Sequence, residues 1–119
     1  MNDLLHIVQS NAEEMLETTI GFWHYLHSNP ELSFKEQNTS SFVRKILQEN
    51  GIEVYGGLNE NGLIGIINGK KQGKTVGIRA ELDALPIIEH TNIAFKSKNS
   101  GVMHACGHDI HMSSLLGAS

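Results

Sequence analysis

Residues 33–55, SFKEQNTSSFVRKILQENGIEVY, change from the pattern of a helix to that of a β-strand within one short segment. Ser33 and Glu36 have the spacing of a capping box, in which the two side chains satisfy free backbone N–H groups of the first helical turn. Helical spacing of apolar residues follows at Phe42, Val43, Ile46 and Leu47. Gly51 suits the left-handed position just beyond a helix, and the strand-like IEVY comes next. The segment predicts an α/β fold.

The sequence before this segment predicts a second, longer helix. Residues 3–28 carry apolar side chains at spacings near three, four or seven, which is typical of an amphipathic helix: Leu4, Val8, Met15, Ile20, Trp23 and Leu26. Pro30 disfavours a helical conformation at Asn29 and should end the helix. The following residues are interpreted as a turn, with no catalytic role for His27 or Glu31.

The sequence after Gly51 predicts a short mixed sheet. Residues 52–55, 63–67 and 75–82 have the composition of β segments and are separated by Gly-containing turns. Residues 88–101 show no period and are predicted to form a long loop, which in a compact domain is often functional. A third helix is expected to begin near His111, with no stop signal before Ser119. Its apolar residues, Met112, Leu115 and Leu116, are expected to be left uncovered.

Composition excludes several classes of function. Nine Lys and Arg against thirteen Asp and Glu give a net charge of −4, so nucleic acid is not an expected partner. The sequence contains no run of about 18 apolar residues and no basic leader before an apolar core, so no membrane partner is expected. Cys106 is the single cysteine and has no internal disulfide partner, which favours a reducing, cytoplasmic compartment.

The densest group of chemically capable residues is 103–111, MHACGHDIH. Thiolate and imidazole are preferred ligands of Zn²⁺ and similar ions, so Cys106 and His108 form a candidate metal site. Three other interpretations stay open at this point: a His-rich surface loop, a buried structural cysteine, and a nucleophilic Cys106 with a nearby His.

A second candidate is 79–86, RAELDALP, where a predicted strand ends in two carboxylates. Asp83 could orient a metal-bound His, because such a His usually donates its other ring N–H to a carboxylate or carbonyl. The alternative is a solvated strand end carrying an Arg79–Glu81 charge pair.

Taken in order, HSNPELSFKE, RAELDALPIIEH and MHACGHDIHMSSLLGA resemble the N-terminal half of the catalytic domain of the M20 metallopeptidase family, over about residues 20–119. The likeness points to its amidohydrolase branch, which includes hippurate hydrolases, N-acyl-amino-acid amidohydrolases and N-acetyl-diaminopimelate deacetylases. It implies a zinc-peptidase-like α/β fold and a metal-dependent hydrolase that cleaves N-acyl amino acids, small-molecule substrates. Residues 1–119 would form an incomplete part of that domain.

The resemblance also implies roles for individual residues. Cys106 and His108 stand where this branch supplies two ligands of a two-metal site, expected to hold Zn²⁺ or Mn²⁺. Asp83 matches the Asp of the catalytic site that orients a metal-bound His. Glu81 departs from the usual Asp of this branch and is not assigned as a ligand. A general-base Glu, a Glu ligand, two further His and a domain that forms a homodimer are all expected outside these 119 residues.

Two alternatives to this function remain. One is a truncated, non-catalytic fragment that at most binds a metal. The other is a cysteine-based hydrolase or thiol sensor that uses Cys106.

Overall fold

A computed structural model describes residues 2–57 and 59–119. Within them the order of elements is two helices, a two-stranded hairpin and a third helix. The elements are α1 (Asn2–Ser28), α2 (Gln37–Glu49), β1 (Glu53–Gly56), β2 (Leu63–Ile66) and α3 (His108–Ala118). The predicted α/β class is confirmed, as are the three helices, the first two β segments, the loop at 88–101 and the helix end before Pro30. Gly51 has φ +74°, the left-handed conformation predicted for it.

The core forms where α1 and α3 pack together over α2. Its buried apolar residues are Leu26, Val43, Leu47, Ile52, Met112 and Leu116. α1 and α3 approach closely, since a Cβ atom added to Gly117 would collide with the Thr19 side chain. Met112 and Leu116 of α3 are 2% and 4% exposed, so the expectation that α3 leaves them uncovered is wrong, whereas Leu115 is only partly buried.

The apolar face predicted for α1 is only partly buried. Leu26, near the C-terminal end of the helix, is 1% exposed, whereas Leu4 and Val8 are 67% and 58% exposed. Helical spacing therefore identified the helix correctly, but it did not show how much of its length has a packing partner.

The sheet is a simple antiparallel hairpin rather than the predicted mixed sheet. β1 pairs with β2 in a register that places Val54 opposite Gly65. A Cβ atom at Gly65 would lie 3.3 Å from Ile52 and 3.5 Å from Leu47, so a glycine lets β2 pass close to the core.

The third predicted β segment, 75–82, is wrong. These residues are outside any helix or strand, and Val76 and Ile78 are 82% and 75% exposed. A strand is stable only when a neighbour satisfies its backbone N–H and C=O groups, and no described residue pairs with this segment in a ladder. Single bridges form just beyond it, parallel between Leu32 and Ala84 and antiparallel between Leu85 and Met103.

The start of α2 differs from the predicted capping box. Glu36 is the N-cap residue, but neither its side chain nor that of Ser33 makes the capping hydrogen bonds. Glu31 caps the helix instead, because its carboxylate accepts the backbone N–H groups of Asn38 at 3.2 Å and Thr39 at 2.6 Å. This role for Glu31 is structural, as the sequence predicted.

Candidate metal site

The segment that carries the candidate ligands ends in a glycine turn. Gly107 has φ +86°, a conformation that residues with a Cβ atom rarely adopt, and it is the N-cap of α3. The turn lets α3 begin at His108, three residues earlier than the predicted start near His111. His108 is therefore held in the first turn of a helix rather than in a free loop.

Two carboxylates flank the His108 ring. Its Nδ1 atom lies 3.0 Å from Asp83 Oδ1 and 2.9 Å from the Asp83 carbonyl oxygen. Its Nε2 atom lies 3.1 Å from Glu81 Oε2. Because both groups at Nδ1 are acceptors, that nitrogen carries the proton. The other nitrogen is therefore the one able to bind a cation, as in metal-bound histidines generally.

Asp83 is held in place by a residue 50 positions earlier. The Ser33 hydroxyl donates a hydrogen bond of 2.5 Å to Asp83 Oδ2, which leaves Oδ1 for His108. The hydrogen bond from Ser33 has the largest effect on the Asp83 pKa and lowers it below its usual value, against the opposing effect of burial; the contact with His108 lowers the pKa further. Asp83 is thus an oriented, ionised acceptor.

The residues of 104–111 differ sharply in exposure. His104 and Asp109 are buried, at 4% and 1% exposed, whereas Cys106 and His111 are exposed. The interpretation of Cys106 as a buried structural cysteine is therefore wrong. The predicted Arg79–Glu81 charge pair is present, with Arg79 Nη2 3.0 Å from Glu81 Oε1.

The donor atoms suit a transition-metal ion, although they form only part of a site. Among residues 2–57 and 59–119, no group of three or more His, Cys, Asp and Glu side chains has the geometry to hold a metal ion. Two donors that share a cation at about 2.1 Å each lie roughly 3.0–3.4 Å apart at angles of about 90–110°. The 3.1 Å between His108 Nε2 and Glu81 Oε2 fits shared binding as well as an ion pair. A thiol at Cys106 and an imidazole at His108 add the appropriate donor chemistry.

A buried network behind this site was missed by the sequence analysis. His27 Nδ1 lies 2.7 Å from Asp109 Oδ2, and His27 Nε2 lies 3.1 Å from Glu89 Oε1. Burial alone would lower the pKa of His27, but its hydrogen bonds and the two negative charges raise it. The segment around His27 was interpreted as a helix end, which is correct. The contacts of His27 lie 62 and 82 residues away, so no local pattern announced them.

Comparison with known proteins places these residues in a family. The sequence profile of Peptidase family M20/M25/M40 matches residues 77–119, which contain Glu81, Asp83, Cys106 and His108. The chain is 45% identical over 118 residues to thermostable carboxypeptidase 1 of Saccharolobus solfataricus, which covers 98% of this chain and 30% of the relative. The chain belongs to the M20 peptidase family.

Two further similar proteins support this assignment. N-acetyl-L-cysteine deacetylase of Bacillus subtilis is 40% identical over 122 residues, or 99% of this chain and 29% of the relative. The crystal structure of the Bacillus subtilis YXEP protein, a dinuclear metal-binding peptidase of the M20 family, has a TM-score of 0.83 at 42% identity. It covers 87% of this chain and 30% of that one. The chain spans about 30% of the length of the M20 relatives it matches. Among the described residues, no helix has the length and apolar character needed to cross a bilayer.

Proposed function

We propose that this chain supplies part of the metal-binding centre of an M20 amidohydrolase that hydrolyses the amide bond of N-acyl amino acids. Cys106 and His108 would bind the metal, and Asp83 would orient the His108 ring by accepting the hydrogen bond from its Nδ1 atom. The chain spans about 30% of its relatives, so the activity belongs to the full polypeptide that carries these residues. Neither the non-catalytic fragment nor the cysteine-based enzyme has support among the relatives, whose names are those of peptidases and deacetylases.

The observation that carries this proposal is the contact between Asp83 and His108. A histidine whose Nδ1–H is fixed by a carboxylate presents Nε2 in one orientation and with raised basicity, which is how proteins prepare a metal ligand. The Ser33 hydroxyl fixes the carboxylate in turn. The three acceptor atoms around the His108 ring, one carbonyl oxygen and two carboxylate oxygens, hold the ring in one orientation.

The side chains of this segment also define what they can do in hydrolysis. A divalent metal supplies Lewis-acid activation of the carbonyl and of water when it is bound. Asp83 holds the Nδ1 proton of His108, so the imidazole remains in one tautomer. Cys106 is exposed at the start of the turn before α3 and is accessible to a cation. The general base is expected outside these residues.

The proposal extends to the metal, the cellular location and the oligomeric state. Zn²⁺ and Mn²⁺ are the proposed metals, and a two-metal site is favoured by the dinuclear metal binding of the YXEP relative. A cytoplasmic location is proposed because a reducing compartment keeps Cys106 free as a thiol. A homodimer formed through a further domain is proposed from the family resemblance alone.

The experiment uses the full polypeptide as its gene encodes it, stripped of metal and then reloaded with Zn²⁺ or Mn²⁺. Hydrolysis of N-acetyl and N-benzoyl amino acids is measured beside the metal content of each sample. We expect activity to return with metal and to fall by several orders of magnitude in Cys106→Ala and His108→Ala. His90→Ala changes an exposed histidine outside the site and should remain active. Full activity of the metal-free protein, or of Cys106→Ala, would refute the proposal.

A further inference from the structure

Asp109 is a buried carboxylate that directly follows the candidate ligand His108. It is 1% exposed, and its Oδ2 atom accepts hydrogen bonds from Trp23 Nε1 at 2.9 Å and from His27 Nδ1 at 2.7 Å. Its Oδ1 atom has no hydrogen-bond partner among the described residues. A buried carboxylate is costly unless it is paired, so the two donors from α1 are what keep Asp109 inside.

His27 connects Asp109 to a second buried carboxylate. Both ring nitrogens of His27 face carboxylate oxygens, and these contacts raise its pKa, which favours the imidazolium form with a proton on each nitrogen. Glu89, on the other side, also accepts the Thr91 hydroxyl and the Ser97 backbone N–H. Burial would raise the pKa of Glu89, but these hydrogen bonds and the charge of His27 lower it to about 2. The His27 ring therefore lies between the carboxyl groups of Glu89 and Asp109.

The network joins three separate parts of the fold. His27 belongs to α1, Glu89 to the loop at 88–101, and Asp109 to the first turn of α3. The loop is itself fixed to α1, because Ser28 donates a hydrogen bond to the Phe95 carbonyl and accepts one from the Lys98 N–H at its own carbonyl. Of the three parts that the network joins, only the start of α3 carries a candidate metal ligand, His108.

We propose that His27 is a positioning residue, which holds Asp109 and thereby fixes the first turn of α3 so that His108 meets the metal in one orientation. The inference rests on the proposed function. Asp83 sets the rotation of the His108 ring, whereas His27 sets the position of the backbone that carries it. His108 is thus restrained from the side chain and from the main chain by two unconnected hydrogen-bond networks.

The structure offers two replacements of His27 that separate this role from packing. An amide nitrogen in His27→Asn falls near the position of Nδ1 and can still donate to Asp109. In His27→Gln the amide nitrogen falls near Nε2, so it can donate to Glu89 but not to Asp109. Both variants lose the positive charge, and they differ in which carboxylate keeps its donor.

The test is Co²⁺ binding to the full polypeptide, followed by the thiolate-to-Co²⁺ absorption band and by competition with a chelator. We expect His27→Gln to weaken Co²⁺ binding by about 10–100-fold and to shift the absorption band. Losses of this size are usual when a residue that orients a metal ligand is changed. His27→Asn should bind within about 3-fold of the parent protein. His6→Gln, an exposed histidine of the same helix, should leave both quantities unchanged.

Circular dichroism of the metal-free samples shows whether each variant is folded. If His27→Gln does not fold, Trp23→Phe is used to test the inference. This variant removes the other hydrogen-bond donor to Asp109 Oδ2 and keeps an aromatic ring. We expect a smaller loss of Co²⁺ affinity than in His27→Gln. Unchanged binding in a folded His27→Gln, or in Trp23→Phe, overturns the inference while the proposed function stands. A parent protein that gives no thiolate-to-Co²⁺ band overturns both.

Discussion

His108 Nδ1 lies 3.0 Å from Asp83 Oδ1 and 2.9 Å from the carbonyl oxygen of the same residue. One residue thus supplies two acceptors to one proton. The two acceptors differ in origin, since the carboxylate can be removed by substitution and the main-chain carbonyl cannot. This difference limits how much the loss of the Asp83 side chain can disturb His108.

Asp83→Ala should therefore weaken divalent-metal binding by about 10-fold, which is at the lower end of the losses found when a residue that hydrogen-bonds a metal ligand is removed. The carbonyl oxygen would still accept the Nδ1 proton and retain part of the orientation. Ser33→Ala should have a smaller effect in the same direction, because it frees Asp83 without removing it. Chelator competition measures both, with the exposed Glu60→Ala as control. Equal affinities for all four proteins would contradict an orienting role for Asp83.

Substitution by alanine should change the free energy of unfolding in opposite directions at two helix glycines, Gly21 and Gly117. A Cβ atom at Gly21 meets nothing within 4 Å, whereas one at Gly117 collides with Thr19. Gly21→Ala should raise the free energy of unfolding by about 0.5–1 kcal/mol, because alanine loses less backbone entropy in a helix. Gly117→Ala has the same benefit but overpacks the α1–α3 contact at a cost of about 1–3 kcal/mol.

We expect a net loss of about 1–2 kcal/mol for Gly117→Ala, measured by urea unfolding, and a partial recovery when Thr19→Ala is added. If Gly117→Ala stabilised the protein as much as Gly21→Ala does, α1 and α3 would not approach each other as closely as the structure shows.

The network of His27 and Glu89 should make stability depend on pH at both ends. The pKa of Glu89 is lowered from 4.5 to about 2, so the stability that Glu89 contributes is present above pH 4.5 and is lost as the pH falls toward 2. The pKa of His27 is raised above 6.5, so its contribution is complete below pH 6.5 and is lost as the pH rises through the higher folded value.

Glu89→Gln tests the acid side of this prediction. Urea unfolding between pH 2 and 8 should show a flatter loss of stability below pH 4.5 in this variant than in the parent protein. The control Glu60→Gln, at an exposed carboxylate, should follow the parent curve. If the free energy of unfolding of the parent and of Glu89→Gln fell equally steeply below pH 4.5, the fold would not stabilise the ionised form of Glu89.

Local sequence patterns predicted the three helices and two strands of this fold, but not which distant residues each element contacts. The spacing at 42–47 and the glycine at 51 identified α2 and its end, because both depend on neighbours in the chain. The hydroxyl of Ser33, predicted to cap α2, instead binds Asp83, and the strand-like segment 75–82 has no ladder partner among the described residues. Each of these outcomes depends on which distant group competes for the same donor or acceptor.

The candidate site shows the same division. Cys106, His108 and Asp83 were found because ligand chemistry and the family resemblance mark those residue types, and the Asp83–His108 contact agrees with that prediction. Their roles as ligands and orienting group stay predictions. His27 carried no such mark, because a histidine before a helix end looks the same whether it faces solvent or two buried carboxylates. The tertiary fold alone brings Glu89 and Asp109 to it.

The most direct test is anomalous diffraction at the metal edge from crystals of the full polypeptide grown with Zn²⁺ or Mn²⁺. The account predicts an anomalous peak about 2.3 Å from the Cys106 sulfur or about 2.1 Å from His108 Nε2, with both atoms serving the same metal pair. His108 Nδ1 should still face Asp83. A metal bound away from both residues, or bound to Nδ1 of His108, would contradict the account.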